Sequence, residues 1–266
     1  MNRLEKKIRD LKKQKRKALI TFITAGFPDF KTTETLIKVL ESNGADIVEL
    51  GVPFSDPIAD GPTIQFASEH GVKKGVSLLR IFDFVKRLRK KTDIPILLMS
   101  YSNPIFHLGN TQSAKRANNA GVDGFIVPDL IPEESKELSL ACRKNNLSLV
   151  FLAAPNTPDK RLKSIDNQSR GFVYIVSLTG VTGSRKELPQ SAKEFLKKTN
   201  KYITRNSRFI GFGISSAKQV LNIKNYADGV IVGSALIEII RKNKNMNKRN
   251  KIIASFIKSL RKALDS

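Results

Sequence analysis

Eight short apolar runs, each about as long as a β-strand, recur along the chain and are separated by longer amphipathic segments. The runs are Ala18–Thr24, Ile47–Leu50, Ile96–Met99, Gly124–Val127, Ser148–Leu152, Val173–Ser177, Arg208–Gly211 and Gly229–Val232. Nearly continuous apolar character is typical of strands in a parallel sheet that is buried on both faces. The pattern therefore predicts a parallel sheet that is covered by helices.

The segments between these runs have the periodicity of amphipathic helices. Predicted helices are Thr32–Asn43, Leu78–Lys90, Glu133–Asn145, Pro158–Asn167, Pro189–Lys198, a segment from Ser215 or Ser216 to about Lys224, Ser234–Arg241 and Lys251–Leu264. Ser77 is a predicted N-cap, and the polar stretch Lys242–Lys251 is predicted to be a loop. Strict alternation of strand and helix predicts the α/β class and a single (β/α)8 TIM barrel over residues 1–266, with extra N- and C-terminal helices. An open doubly wound sheet is the alternative.

Composition limits the classes of protein to consider. The single cysteine, Cys142, cannot form an internal disulfide, and no apolar run approaches the length of a membrane span. The basic N-terminus has no apolar core of the kind that a secretory signal needs, so we expect a cytoplasmic protein. A basic organelle presequence remains an alternative, because Leu4, Ile8 and Leu11 have helical spacing among lysines.

The formal net charge of +23 is concentrated at the two ends of the chain. Residues 1–17 carry +7 and residues 241–266 carry +8. The middle lacks a basic run interleaved with aromatic residues, so we expect solvated helix faces and no specific nucleic-acid partner. Weak, salt-sensitive adsorption to polyanions follows from the same charge.

Two candidate carboxylates lie at the end of the second predicted strand and on the loop that follows it. Glu49 lies within an apolar strand, and Asp60 lies on the loop that follows, which also carries Asp56 and is stiffened by prolines including Pro53. In a (β/α)8 barrel the chemistry gathers at the carboxyl ends of the strands. Glu49 and Asp60 are therefore candidates for a general acid–base pair, although a structural salt bridge or a surface-facing glutamate is an alternative for Glu49.

Glycine-bearing loops follow the last three predicted strands. The sequence around Gly183 follows the sixth, Gly213 follows the seventh, and Gly233 with Ser234 follows the eighth at a helix start. Such loops let a phosphate approach main-chain N–H groups. Aromatic residues lie in or just after four strands and suit a flat apolar ligand with a phosphate tail, namely Phe22, Tyr101, Tyr174 and Phe212.

These motifs resemble one known family. The stretch from Glu49 to Gln65, ELGVPFSDPIADGPTIQ, resembles the signature of the tryptophan synthase alpha subunits. Further matching motifs occur in the same order along nearly the whole chain, namely TAGFP from Thr24, LMSYSNP from Leu98, GFIVPDL from Gly124, TGVTG from Thr179 and GFGIS from Gly211.

The resemblance implies a (β/α)8 lyase that needs no metal and no organic cofactor. It would cleave indole-3-glycerol phosphate, with Glu49 as the acid–base and Asp60 as acceptor of the indole N–H. The indole pocket would be lined by Phe22, Ile64, Tyr101, Tyr174 and Phe212. Phosphate would be held by Gly183, Gly213, Gly233 and Ser234.

The resemblance also implies an assembly. Tryptophan synthase alpha subunits pass indole to a beta subunit within an α2β2 tetramer, and Pro53 and Asp56 would lie at that interface. Thr182 would order Asp60 when its loop closes. Alternatives are another phosphate-binding barrel of amino-acid biosynthesis, a basic nucleic-acid-binding protein, or a subunit kept mainly to activate its partner.

Overall fold

The strands form one parallel sheet that closes into a barrel. The computed structural model describes residues 1–176, 189–211 and 213–266. The strands in these ranges are β1 (Ala18–Thr24), β2 (Ile47–Gly51), β3 (Ile96–Met99), β4 (Gly124–Ile126), β5 (Ser148–Val150), β6 (Leu152–Ala153), β7 (Phe172–Val176), β8 (Ser207–Gly211) and β9 (Gly229–Val232). Their order is β5-β4-β3-β2-β1-β9-β8-β7-β6, and every pair is parallel.

The two ends of this order, β5 and β6, are consecutive in the chain and are separated only by Phe151. The carbonyl of Phe151 accepts the N–H of Tyr174 at 3.0 Å, and the carbonyl of Leu149 accepts the N–H of Arg170 at 3.0 Å. The predicted fifth strand is thus a broken strand. The Phe151 N–H donates to the hydroxyl of Ser169 at 3.3 Å. The prediction of a (β/α)8 barrel is confirmed.

Helices surround the barrel and cover its outer face. In chain order they are α1 (Arg3–Lys13), α2 (Phe30–Ser42), α3 (Pro62–Lys73), α4 (Leu78–Leu88), α5 (Ser102–Leu108), α6 (Asn110–Ala120), α7 (Lys136–Lys144), α8 (Asp159–Gln168), α9 (Gln190–Tyr202), α10 (Ala217–Ile223), α11 (Ser234–Lys242) and α12 (Met246–Asp265). Short 3₁₀ helices span Pro132–Glu134 and Lys224–Tyr226. None of the helices in the described ranges has the length and hydropathy that crossing a bilayer requires.

Helix starts are set by local capping chemistry. Ser77 caps α4 as predicted, and Ser216 rather than Ser215 caps α10. The predicted helix start at Glu133 was wrong. Pro132 begins a 3₁₀ turn, and its carbonyl accepts the Ser135 hydroxyl at 2.8 Å. Helix α7 starts only after this turn. The predicted loop Lys242–Lys251 was also wrong in its second half, where the Asn245 side chain accepts the Lys248 N–H at 3.0 Å and starts α12.

Helix α1 closes the amino-terminal end of the barrel. Its buried Leu4, Ile8 and Leu11 belong to the same apolar cluster as the inward-facing strand residues, which include Ile20 and Ile47. The Asn2 side chain caps the helix in a reciprocal capping box with Glu5. Hydrophobic residues at helical spacing therefore make α1 part of the folded core, and the opposite, carboxyl-terminal end of the barrel is left for a site.

Candidate active site

Glu49 is a carboxylate inside the barrel. Ile47 belongs to the interior cluster, and Glu49 lies two residues further along β2, so both face inward. Glu49 pairs in register with Phe22 on β1 and with Leu97 on β3, and its side chain is fully buried. Neither carboxylate oxygen has a hydrogen-bond partner within the described ranges. Burial raises the pKa of Glu49 to about 8, so the group holds its proton at neutral pH.

Asp60 lies on the loop between β2 and α3, which is tied to the helix that follows. The Phe54 N–H donates to the Ser68 hydroxyl at 2.8 Å, and the same hydroxyl donates to the Phe54 carbonyl at 3.0 Å. Burial raises the pKa of Asp60 to about 6, while a hydrogen bond from the Tyr101 hydroxyl acts in the opposite direction. That hydroxyl also accepts the Ala59 N–H at 2.9 Å, so Tyr101 holds the loop next to Asp60.

Four of the predicted site residues line one cleft at the carboxyl end of the barrel. The cleft encloses about 310 Å³ between its lining atoms, a volume that includes space open to solvent. Its lining comprises Phe22, Asp60, Ile64 and Tyr101 together with Thr24, Gly51, Val52, Ser68, Met99, Ser100 and Pro128. The structure therefore brings Asp60 together with Phe22, Ile64 and Tyr101, whereas Glu49 and Tyr174 are not among the residues that line the cleft.

Phe22 and Tyr174 depend on glycines that let their rings pack against the backbone. A Cβ on Gly51 would lie 2.6 Å from Cζ of Phe22, and a Cβ on Gly211 would lie 2.5 Å from the Tyr174 hydroxyl oxygen. Burial raises the pKa of Tyr174 well above its ordinary value, and the charges of Glu49 and Asp60 act in the same direction. Tyr174 therefore faces both acids.

The start of α11 adjoins this cleft. A Cβ on Gly233 would lie 3.2 Å from Cβ of Phe22. The N–H groups of Leu236 and Ile237 both donate to the Gly233 carbonyl, at 2.8 and 3.1 Å. Helix geometry leaves the earlier N–H groups, those of Ser234 and Ala235, without an intrahelical acceptor. Together with the positive end of the helix dipole they form a site suited to an anion.

Gly213 lies on the loop that follows β8. It has a φ of +61°, and the space that a Cβ would occupy is open. Three further predicted residues, Thr182, Gly183 and Phe212, lie outside the described residues.

Sequence reasoning missed Thr24 as a cleft residue. Its hydroxyl oxygen is buried at the end of β1 and has no partner within the described ranges. The signal was available, because Thr24 is a polar residue at the carboxyl end of an apolar strand. Met99, Ser100 and Pro128 were also missed, and they follow two further strand ends.

The two predicted interface residues lie in different surroundings. Asp56 is exposed, whereas Pro53 is buried against α3, where a Cβ on Gly71 would lie 2.4 Å from its Cγ. The neighbouring Ile58 is 83% exposed and lines an open, largely apolar groove with Phe54, Pro57 and Val72. Exposed apolar side chains around Asp56 are typical of a protein-binding surface.

Potential metal ligands do not cluster in the described part of the chain. No group of three or more His, Cys, Asp or Glu side chains is placed there to hold a metal ion. His70 donates a hydrogen bond from Nε2 to the Pro28 carbonyl at 3.0 Å and packs edge-on against Phe27. This residue has a structural role at the start of α2.

The whole chain matches one family in sequence and in structure. The family model of the tryptophan synthase alpha chain matches residues 8–264. The chain belongs to the tryptophan synthase alpha chain family. It is 45% identical over 264 residues to the tryptophan synthase alpha chain of Caldanaerobacter subterraneus subsp. tengcongensis, covering 99% of this chain and 100% of that one. It is 43% identical to that of Dehalococcoides mccartyi over 252 residues, covering 95% of this chain and 97% of that one.

Solved structures of tryptophan synthase have the same fold. The alpha chain from Legionella pneumophila subsp. pneumophila matches with a TM-score of 0.90 and 35% identity, covering 100% of this chain and 98% of that one. A chain of tryptophan synthase from M. tuberculosis matches with a TM-score of 0.87 and 31% identity, over 99% of each chain. The resemblance noted in the sequence motifs is therefore confirmed as family membership.

Proposed function

We propose that this chain carries out the reaction of the tryptophan synthase alpha chains, the retro-aldol cleavage of indole-3-glycerol phosphate to indole and D-glyceraldehyde 3-phosphate. The observation that carries the proposal is the fully buried, unpaired carboxyl group of Glu49, which shares one end of the barrel with Asp60 and an aromatic cleft. A buried acid without a partner is costly for folding, and such groups cluster where catalysis needs them.

Glu49 supplies the proton for the first step in this proposal. With a pKa of about 8 it is protonated at neutral pH and can donate to C3 of the indole ring. C3 becomes tetrahedral and the ring nitrogen takes up positive charge. The Glu49 carboxylate then accepts the proton of the glycerol hydroxyl while the C–C bond breaks, and the bond's electron pair restores the aromatic ring. The carboxyl group is regenerated in each turnover.

Asp60 stabilises the charge that develops on the ring nitrogen. Its pKa of about 6 leaves it ionised at neutral pH, so it can accept the indole N–H. Tyr101 holds Asp60 and its loop in place through the hydroxyl contacts described above. The two acids thus have pKa values on either side of neutrality and opposite tasks, as paired catalytic carboxylates often do.

The remaining predicted residues bind the two ends of the substrate. We assign the indole ring to Phe22, Ile64, Tyr101, Tyr174 and Phe212, and the phosphate to Gly183, Gly213, Gly233 and Ser234. Thr182 would act on Asp60 through loop closure. Support comes from the cleft between Phe22 and Tyr101 and from the free N–H groups at the start of α11.

The same proposal covers the partner and the setting. We assign this chain to an α2β2 tetramer in which a beta subunit receives the indole, with Asp56 and Pro53 at or beneath the contact surface. The apolar groove beside Asp56 supports this assignment. A cytoplasmic location is part of the proposal and agrees with the buried, unpaired thiol of Cys142.

The test is an indole-release assay on indole-3-glycerol phosphate, with and without a tryptophan synthase beta subunit. We expect indole from the wild-type chain and a loss of about 10²–10⁴-fold in Glu49→Gln, because general acid–base catalysis contributes about that much. Beta-subunit binding should persist in Glu49→Gln. The matched control is Glu134→Gln, which removes an exposed carboxylate that does not line the cleft. Retained turnover in Glu49→Gln would overturn the assigned role.

A further inference from the structure

A second cavity lies at the amino-terminal end of the barrel, opposite the end that carries Asp60 and its cleft. It has a volume of about 220 Å³ between the last turn of α1 and the starts of β8 and β9. Its lining is Ile8, Leu11, Lys12, Lys15, Arg16, Lys17, Ala18, Ser207, Phe209 and Asp228. The proposed reaction uses none of these residues.

The charges of two lining residues are already balanced by neighbours. The Arg16 guanidinium donates to Asp46 at 2.7 Å and lies 3.7 Å from Asp265. The Asp228 carboxylate accepts the main-chain N–H of Arg208 at 2.8 Å and lies 3.6 Å from its guanidinium.

The lysines form no ion pair with the residues that the structure describes, although the Asp228 charge acts on Lys17. Lys17 donates to the Ala227 carbonyl at 2.7 Å, which leaves its charge in place. Neither Lys12 nor Lys15 forms an ion pair with any residue that the structure describes. Three lysines therefore line one cavity, Lys12 and Lys15 with exposed side chains, and an anion inside it would offset their like charges.

A buried hydroxyl points to an occupant of the same cavity. Ser207 is the first residue of β8, is only 2% exposed, and its hydroxyl has no hydrogen-bond partner within the described ranges. A buried hydroxyl without a partner is unfavourable, and buried polar groups normally have one. A ligand oxygen in the cavity would supply it once the Ser207 side chain turns toward the cavity, since the hydroxyl oxygen is itself buried.

The backbone at Lys15 adds a third observation. Lys15 follows the end of α1 with a φ of +52°, a conformation that glycine adopts without steric cost and lysine does not. A lysine at this position brings an ammonium group to the cavity at the expense of local strain. Strained backbone of this kind is often found at binding sites.

We propose that this cavity binds a small molecule that carries one phosphate group and a compact apolar part. Lys12, Lys15 and Lys17 attract the phosphate, and the Ser207 hydroxyl, turned toward the cavity, donates to it. Ile8, Leu11 and Phe209 form the apolar wall. The concave shape and apolar wall favour a small ligand over a polyanion, whose backbone needs an extended groove. Burial lowers the pKa of Lys17, the Asp228 charge opposes this, and Arg208 and Lys224 add to it, so a further anion beside Lys17 would stabilise its charge.

The first experiment locates binding, because the proposed active site also takes phosphate. Lysine acetylation rates of the full chain are measured by mass spectrometry with and without phenyl phosphate, at constant ionic strength. We expect selective protection of Lys12, Lys15 and Lys17. Lys13 is the internal control, because it is an exposed residue of the same helix that does not line the cavity. Equal protection of Lys13 would overturn the proposal, since it would indicate general screening.

Two substitutions at Lys15 separate binding from stability. Lys15→Gln should weaken phenyl phosphate binding at this site by about tenfold, as expected for the loss of one charge-assisted contact. Lys15→Gly should weaken binding to the same degree and raise Tm without ligand, because glycine accepts the positive φ. Lys13→Gln removes the same charge and should leave binding unchanged.

Two further ligands, inorganic phosphate and a single-stranded RNA, distinguish binding of a small phosphate compound from binding of other anions. Inorganic phosphate should protect the same three lysines more weakly than phenyl phosphate, because it lacks the apolar part. A single-stranded RNA that protects them better than phenyl phosphate does at physiological salt would overturn the proposal in favour of a polyanion surface. Unchanged affinity in Lys15→Gln would also overturn it.

Discussion

At the scale of single residues, the unfavourable burial of the Glu49 carboxyl group is what gives this group a pKa suited to proton transfer. The carboxyl group has no partner in the described part of the chain, and burial alone raises its pKa to about 8. Asp60 has the hydroxyl of Tyr101 beside it and a lower pKa, about 6. The difference between the two acids comes from their surroundings, because both are ordinary carboxylates in the unfolded chain.

These pKa values predict a bell-shaped pH profile for kcat/KM. Activity should fall as the pH drops through about 6, where Asp60 takes up a proton. It should also fall as the pH rises through about 8, where Glu49 loses its proton. Steady-state indole release across this range checks both limbs. Asp60→Asn should be slow and should lack the acid limb; persistence of that limb would assign it to another group.

The same burial predicts how stability depends on pH. The folded protein keeps the Glu49 proton up to a pH of about 8, whereas the unfolded chain releases it near the ordinary value of 4.5. Folding therefore requires proton uptake within this window, and the free energy of unfolding should fall as the pH rises through it. Glu49→Gln cannot titrate, so its stability relative to wild type should increase with pH over the same window.

Denaturant unfolding of both proteins at several pH values measures this difference. Asp60 contributes in the same direction between its ordinary value of 3.8 and about 6, but it is present in both proteins and cancels. The control Glu134→Gln should follow the wild-type curve, because Glu134 is exposed. A constant difference between Glu49→Gln and wild type would show that Glu49 titrates normally in the folded state.

At the scale of elements, the strong apolar runs were predicted well and the weakly patterned helices were not. β1, β3 and β9 have the predicted bounds. Three helices of the structure, α3, α5 and α6, were not predicted. α6 buries mainly small alanines, and α5 has only seven residues, so neither shows a clear apolar stripe in the sequence. Their positions are decided by packing against neighbouring elements.

Helix α1 should contribute to stability although it lies outside the (β/α)8 repeat. Leu4 is fully buried at the closed end of the barrel, so Leu4→Ala should lower the free energy of unfolding by about 2–5 kcal/mol. The control is Leu79→Ala on α4, since Leu79 is 42% exposed and should cost much less. Denaturant unfolding compares the two. Equal effects would show that α1 does not pack as described.

At the scale of the whole molecule, the two basic ends of the chain meet in the folded structure. Arg16 and Arg261 donate to the same carboxylate, Asp46, at 2.7 and 3.0 Å. The Arg261 side chain is also paired with Asp265. Part of the excess positive charge therefore stabilises the contact between α12 and the amino-terminal end of the barrel. Only the remaining positive charge is free to act on other molecules.

That remainder predicts weak binding to polyanions without sequence preference. Mobility shifts with mixed-sequence RNA should appear at low salt and vanish toward physiological salt, because the binding comes from counterion release. Two RNAs of unrelated sequence should behave alike. A complex that persists for one of them at physiological salt would contradict the prediction that this protein, despite its net charge of +23, has no specific nucleic-acid partner.

The sequence alone determined the order of the strands and of the strongly patterned helices, the apolar faces and the position of Glu49 at the end of a strand, because these depend on residues that are neighbours in the chain. Only the tertiary structure decided that Tyr174 faces both acids, that Tyr101 holds the Asp60 loop, and that a basic cavity lies under α1. Those contacts join residues far apart in the chain. They exist only once the barrel has closed, since closure sets the burial and the distances on which each pKa and each pocket depends.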